Sequence, residues 1–190
     1  MEGAIIVVTT TERLILRNWL LQDREPFARL NADARVMEFQ PGVLSLEESD
    51  RFADYIEAHI RQRGFGLYAA ELRHDHRFIG FIGLSVPTFQ AAFTPCVEIG
   101  WRLTADVWGQ GLATEGGREV VRYAFEVLGL ETLVSFTASV NAKSRRVIEK
   151  VGMTRDPVED FNHPRLSEGH PLCRHVLYRL QRSAWNPSGP

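Results

Sequence analysis

Eight consecutive residues, Trp108-Gly-Gln-Gly-Leu-Ala-Thr-Glu115, carry the strongest chemical signal in this chain of 190 residues. Glycines at positions 109 and 111 let the main chain turn so that successive N–H groups point into one concavity. The unbonded N–H groups of a following helix's first turn add to that cup, and the helix dipole favours an anion there. The stretch therefore reads as a pyrophosphate cradle made of backbone, needing neither lysine nor metal. A Walker loop requires Gly-Lys-Ser/Thr after the second glycine, and none is present. A dinucleotide fingerprint requires a third Gly or Ala where Thr114 stands, although Glu131, twenty residues past Gly111, imitates its ribose-binding acid. A tight turn that binds nothing is the remaining alternative.

A second motif, Asn141-Ala-Lys-Ser144, opens another helix directly after a strand, with Asn141 as its cap and Ser144 in its first turn. The two cysteines, Cys96 and Cys173, are far apart and make neither a disulfide framework nor a zinc pattern. His163, His170 and His175 cluster late in the chain, but their spacing fits no zinc template, so no metal is expected.

The elements that would hold these residues follow from periodicity and punctuation. Strands are expected at Thr11–Arg17, Gly66–Arg73, Phe78–Val86, Cys96–Leu103, Thr132–Ala138, Met153–Val158 and His175–Leu180. In the first, Leu14 and Leu16 face away from Arg13, Ile15 and Arg17. Helices are expected over Gln22–Ala32, from a Ser45-Leu-Glu-Glu48 capping box with Phe52, Ile56 and Ile60 on one face, over Gly111–Leu128, and over Asn141–Lys150. The strand-helix-strand from Cys96 to Ala138 should be a parallel crossover, with antiparallel hairpins on either side. Composition is that of an ordinary globular domain, with 44% hydrophobic residues and a net charge of -2. That balance argues against a nucleic-acid partner held by bulk charge, no apolar run suits a membrane span, and the free cysteines point to a cytoplasmic protein.

The strand Val97-Glu-Ile-Gly-Trp-Arg-Leu103, the loop Trp108–Ala113 and the helix pattern Asn141-x-x-Ser144-x-x-x-x-Glu149-Lys-x-Gly-Met153 together resemble the GNAT superfamily of N-acetyltransferases. The opening Thr11-Glu-Arg-Leu-Ile-Leu-Arg17 is similar to its RimJ/RimL-type, ribosomal-protein N-terminal acetyltransferase branch. The resemblance implies one α+β domain over residues 11–182, with flexible ends at 1–10 and 183–190. It implies a mixed, mostly antiparallel twisted sheet of about seven strands, helices on both faces, and a central parallel pair that splays apart to admit acetyl-CoA. Gly109, Gln110, Gly111, Leu112, Ala113 and Thr114 would then hold the pyrophosphate. The backbone of Trp101, Arg102 and Leu103 would pair with the pantetheine arm, Asn141 and Ser144 would face it near the sulfur, and Arg146 or Arg145 would reach the adenosine phosphate.

The activity implied is acetyl transfer from acetyl-CoA to a primary amine, a protein N-terminus or a small molecule, by direct attack in a ternary complex. A non-catalytic acyl-CoA sensor is the alternative, and a homodimer is left open. Glu98 is the expected base, acting directly or through a water, with half-burial raising its pKa. Many relatives protonate the leaving thiolate with a tyrosine where Ile148 stands, so Ser144 is expected to take that role. Cys96 shares strand parity with Glu98, yet a core thiol is preferred to an acetyl-cysteine intermediate. The histidines and Phe161 would hang over the acceptor side, with Met37, Glu38 and Phe39 as the facing wall.

Overall fold

A computed structural model describes residues 4–187. Positions 1–3 and 188–190, the outermost parts of the two expected flexible ends, lie outside the described residues. In chain order the elements are β1 (Val7–Thr10), β2 (Leu14–Arg17), α1 (Arg24–Ala32), α2 (Leu46–Arg63), β3 (Leu67–Leu72), β4 (Phe78–Ser85), β5 (Glu98–Leu103), α3 (Leu112–Arg122), β6 (Thr132–Ala138), α4 (Ala142–Lys150), β7 (Thr154–Arg155), β8 (Phe161–Asn162) and β9 (Arg174–Gln181).

All the strands join one sheet in the order β1-β2-β3-β4-β5-β6-β9-β7, with β8 also paired to β9. Every pairing is antiparallel except β5 with β6. The architecture expected of the sequence is present, with nine strands where about seven were anticipated. The sheet begins at Val7, inside the stretch expected to be flexible, because β1 folds back on β2 from Val7 opposite Arg17. The expected strand at Met153–Val158 shrinks to Thr154–Arg155, since Pro157 lacks the N–H a ladder needs and starts a 3-10 turn. At the other end, Arg182–Ala184 forms a 3-10 turn that seats Trp185 5.4 Å from Phe125.

Local signals explain the helix limits. Ser45 Oγ accepts from the Glu48 N–H, and the Glu48 carboxylate accepts from the Ser45 N–H, so two otherwise orphaned donors at the start of α2 are satisfied. Gly64, at φ 76°, ends that helix in the left-handed region. The α3 helix continues past Arg122 into a π-helical turn, Tyr123–Val127.

Two apolar cores lie on the two faces of the sheet. One gathers Leu14, Leu16, Ile82, Ile99, Val120, Phe125, Leu133 and Ile148 between the sheet and α3 and α4. The other packs Trp19, Phe27, Ala53, Ile56, Phe78 and Phe81 between the sheet and α1 and α2.

The alternation in β2 predicts an outward Arg17, and the structure corrects it. Arg17 is 1% exposed. Its guanidinium donates to both Asp23 oxygens at 2.7 and 2.8 Å and to Glu71 at 2.6 Å, tying β2 to β3 and to the turn before α1. Two carboxylates meet the buried charge, which is what makes its burial tolerable.

Candidate active site

The site begins where the parallel pair fails to stay together. β5 and β6 share one register pair, Glu98 with Val134, and the Val134 N–H donates to the Val97 carbonyl at 2.9 Å. Beyond it Ser135 Oγ donates to the Ile99 carbonyl at 3.0 Å. From there β5 continues through Leu103 beside β4 alone. Two cavities occupy the opening.

The first, about 350 Å³, runs from Trp101, Arg102 and Leu103 along the glycine loop to α4. Gly109 and Gly111 both take positive φ, 77° and 81°, conformations that a side chain would resist. Glu115 is the first residue of α3 whose N–H returns to a carbonyl, that of Gly111 at 3.0 Å. The N–H groups just before it therefore have no helical acceptor and are available to an anion. The loop is braced from behind. Arg13 donates to the Gln110 carbonyl at 2.9 Å and to Glu115 at 2.6 Å, and Thr11 also donates to Glu115. Burial pushes the Glu115 carboxyl up, but these bonds outweigh it and hold the group below its ordinary range. Trp108 donates its indole N–H to the Leu103 carbonyl at 3.0 Å, fastening the loop to β5.

Gly109, Gly111, Leu112, Ala113 and Thr114 line this cleft, together with Trp101, Arg102, Leu103, Asn141, Ser144 and Arg146. Gln110 is not among the lining residues. Its side chain donates to the Asp106 carbonyl at 3.2 Å instead of facing the cleft, which leaves its backbone N–H, the group expected to serve the pyrophosphate, in the turn between the two glycines. Of the two arginines weighed for the adenosine phosphate, Arg146 lines the cleft, while Arg145 donates to the Ser139 carbonyl at 3.1 Å. Lys143, inside the Asn141–Ser144 motif but not singled out in the sequence, lies 4.4 Å from the Trp108 ring centre and also lines the cleft. Five basic residues, Arg35, Arg102, Lys143, Arg146 and Lys150, line it against one acid, Glu38. That donor set and the amide cup fit the phosphates of a coenzyme A thioester, and the open β5 edge fits its amide-bearing arm.

The second cavity, about 380 Å³, is lined by Glu98, Gly100, Ser85, Phe81, Phe89, Phe136, His163 and Arg165 among others. The two cavities share Gln40, Trp101, Arg102, Asn141 and Ser144. Asn141 is held in place at this junction. Its side-chain oxygen accepts from the Ser144 N–H at 3.1 Å, capping α4, and its amide donates to Thr137 at 3.1 Å. Ile148 is fully buried and offers no acid.

Burial pushes the Glu98 carboxyl up to about 8, against a hydrogen bond from Ser85 Oγ at 3.1 Å that works the other way. His163 is pushed down to about 4 by burial, by His175 beside it, and by Arg165, so it is neutral at pH 7. His175 lies tilted against His163, ring centres 4.9 Å apart, within a ring cluster of Phe89, Phe93, Phe136 and Phe161, whereas His170 caps its own turn. Cys96 lines neither cavity, and burial, with the Glu98 charge, raises its thiol to about 11. Glu38 and Phe39 line the first cavity rather than the second, and Met37 is buried in the protein. Among the described residues no group of three His, Cys, Asp or Glu side chains is placed to hold a metal ion. No helix among them is long and apolar enough to cross a membrane.

Comparison with known proteins gives the same assignment. The chain is 36% identical over 132 residues, 64% of its length, to the FsC-acetyl coenzyme A-N(2)-transacetylase of Aspergillus fumigatus, and the match spans 52% of that fungal protein. It is 25% identical over 179 residues to the uncharacterized N-acetyltransferase YnaD of Bacillus subtilis, covering 93% of this chain and 98% of that one. An acetyltransferase structure from Agrobacterium tumefaciens superposes with a TM-score of 0.74 at 28% identity, covering 95% of this chain and 97% of that one. A spermidine N-acetyltransferase from Vibrio cholerae, solved with CoA and spermine, shares the fold with a TM-score of 0.71 at 18% identity over 92% of this chain and 98% of its own. Residues 13–154 match the family model for the acetyltransferase (GNAT) domain, and the chain belongs to that family of acetyl-CoA-dependent N-acetyltransferases.

Proposed function

We propose that this chain moves the acetyl group of acetyl-CoA onto a primary amine by direct attack in a ternary complex. The observation that carries the proposal is the meeting of two cavities at Trp101, Arg102, Asn141 and Ser144, one ending in a phosphate cup and the other holding Glu98. The cofactor side would hold the pyrophosphate on the amides of Gly109–Thr114, with Lys143 and Arg146 on the phosphates. The backbone of Trp101–Leu103 would pair with the pantetheine arm. Glu98 takes the proton of the incoming ammonium, directly or through one water. The neutral amine bonds to the thioester carbon, the C–S bond breaks, the Ser144 hydroxyl gives its proton to the departing sulfur, and the proton shed by the attacking nitrogen as the amide forms restores the hydroxyl. The amide, free CoA and one proton are the products. Cys96 takes no part, since its thiol stays protonated. The Thr11–Arg17 opening and Trp108 at the head of the loop support the RimJ/RimL-type branch. A base whose pKa is raised into the neutral range, sitting in a cavity, favours turnover over passive acyl-CoA sensing.

The test is CoA release from acetyl-CoA over an amine panel, followed by the mass of the product. Ser144→Ala should lower kcat by about tenfold to a hundredfold and leave the acetyl-CoA Kd within about twofold, the pattern of a lost proton donor. Unchanged turnover removes Ser144 from the mechanism. Bound acetyl-CoA with no release from any amine would favour the sensor.

A further inference from the structure

We propose that the acceptor is a small amine that also carries a carboxylate, and that Arg102 receives that carboxylate. The inference rests on the transfer reading above and names its substrate class.

Arg102 stands at the junction of the two cavities. Its orientation is built. Nη1 donates to Asn31 Oδ1 at 2.6 Å, and the buried Asn31 amide in turn donates to Ser49 at 2.9 Å. The guanidinium lies over the rings of Phe52 and Phe81, at 5.4 and 5.5 Å. Among the described residues no carboxylate pairs with it. Arg17 makes the contrast: that buried guanidinium meets two carboxylates, Asp23 and Glu71. The remaining N–H groups of Arg102 meet no protein acceptor among the described residues, Arg102 lines both cavities, and burial lowers its pKa to about 10, so it stays charged at neutral pH. A planar guanidinium fork matches a carboxylate, and in an enclosed site the bond is a strong one.

The rest of the second cavity agrees. Its other cation is Arg165, and its one acid is Glu98, whose pKa burial raises to about 8. A polyamine would meet two guanidiniums and a single carboxyl that is mostly protonated at neutral pH. Glu98 and Arg102 share one face of β5, and between them stands Gly100, where a Cβ would meet nothing within 4 Å. Four strand residues span about 13 Å, so the gap over Gly100 gives one molecule room to present its amine on the Glu98 side and its anion on the Arg102 side.

The experiment measures CoA release for α- and ω-amino acids, each beside its carboxamide and its decarboxylated amine, with spermidine included. The expected result is a kcat/KM at least about tenfold higher for an acid than for its amide, carried mainly by KM. Arg102→Gln should bring that ratio to about 1, and Arg102→Lys should restore part of it. The wild-type panel decides by itself if Arg102→Gln does not fold. Equal rates for acids and amides, or spermidine as the better acceptor, would overturn the inference and leave acetyl transfer standing. No release from any amine would overturn the transfer reading and this inference with it.

Discussion

A carboxyl that stays protonated to about pH 8 sets the working range of the chemistry assigned to Glu98. Only the ionised form can take a proton, so kcat/KM should rise with pH through about 8. Glu98→Gln should flatten that rise and lower kcat/KM by about a hundredfold or more; a wild-type profile in the variant would remove Glu98 from the mechanism. The same shift has a stability sign. The folded protein holds the proton more tightly than the unfolded chain, so this group's contribution is present below the ordinary carboxylate pKa of about 4.3 and is lost as pH rises to about 8. Glu98→Gln should therefore be more stable than wild type at pH 8, and urea unfolding across pH checks it. Glu98 could be named from the sequence because the family resemblance places a base at the start of the splayed strand, and it does line the second cavity. Arg102 was legible only as main chain, since its side-chain environment depends on Asn31, Phe52 and Phe81, which come from α1, α2 and β4. Lys143 was passed over because its partner, Trp108, is brought near only by the fold.

At the scale of elements, periodicity located all four helices and the long strands, and capping chemistry marked the start of α2. It failed at short strands, where pairing partners rather than local pattern decide: β1 exists because β2 is beside it, and β8 because β9 is. It failed also at Arg17, where strict alternation hides a buried ion cluster. That cluster invites a test. Asp23→Ala strips one carboxylate from a guanidinium that is 1% exposed and should cost about 3–5 kcal/mol in denaturant unfolding. A loss under about 1 kcal/mol would mean that Glu71 alone suffices.

For the whole molecule, charge is distributed unevenly. The chain carries a net charge of -2, yet the cofactor cleft gathers five cations and a single acid. Such a local field attracts a polyanion and is screened by salt. The acetyl-CoA Kd should weaken several-fold between about 0.05 and 0.5 M salt, and Lys143→Ala or Arg146→Ala should flatten that dependence in calorimetric titrations. A salt-independent Kd would place the phosphates elsewhere.

The single stitch between β5 and β6 leaves five strands on one side and four on the other, joined edge to edge over a very short length. A guest whose amides zipped along the exposed selvedge of β5 would become, while it stayed, a tenth rung of the fabric. Affinity for that guest and cohesion of the folded chain would then draw on the same hydrogen bonds, so spent coenzyme could leave only as fast as the protein tolerates reopening its own seam.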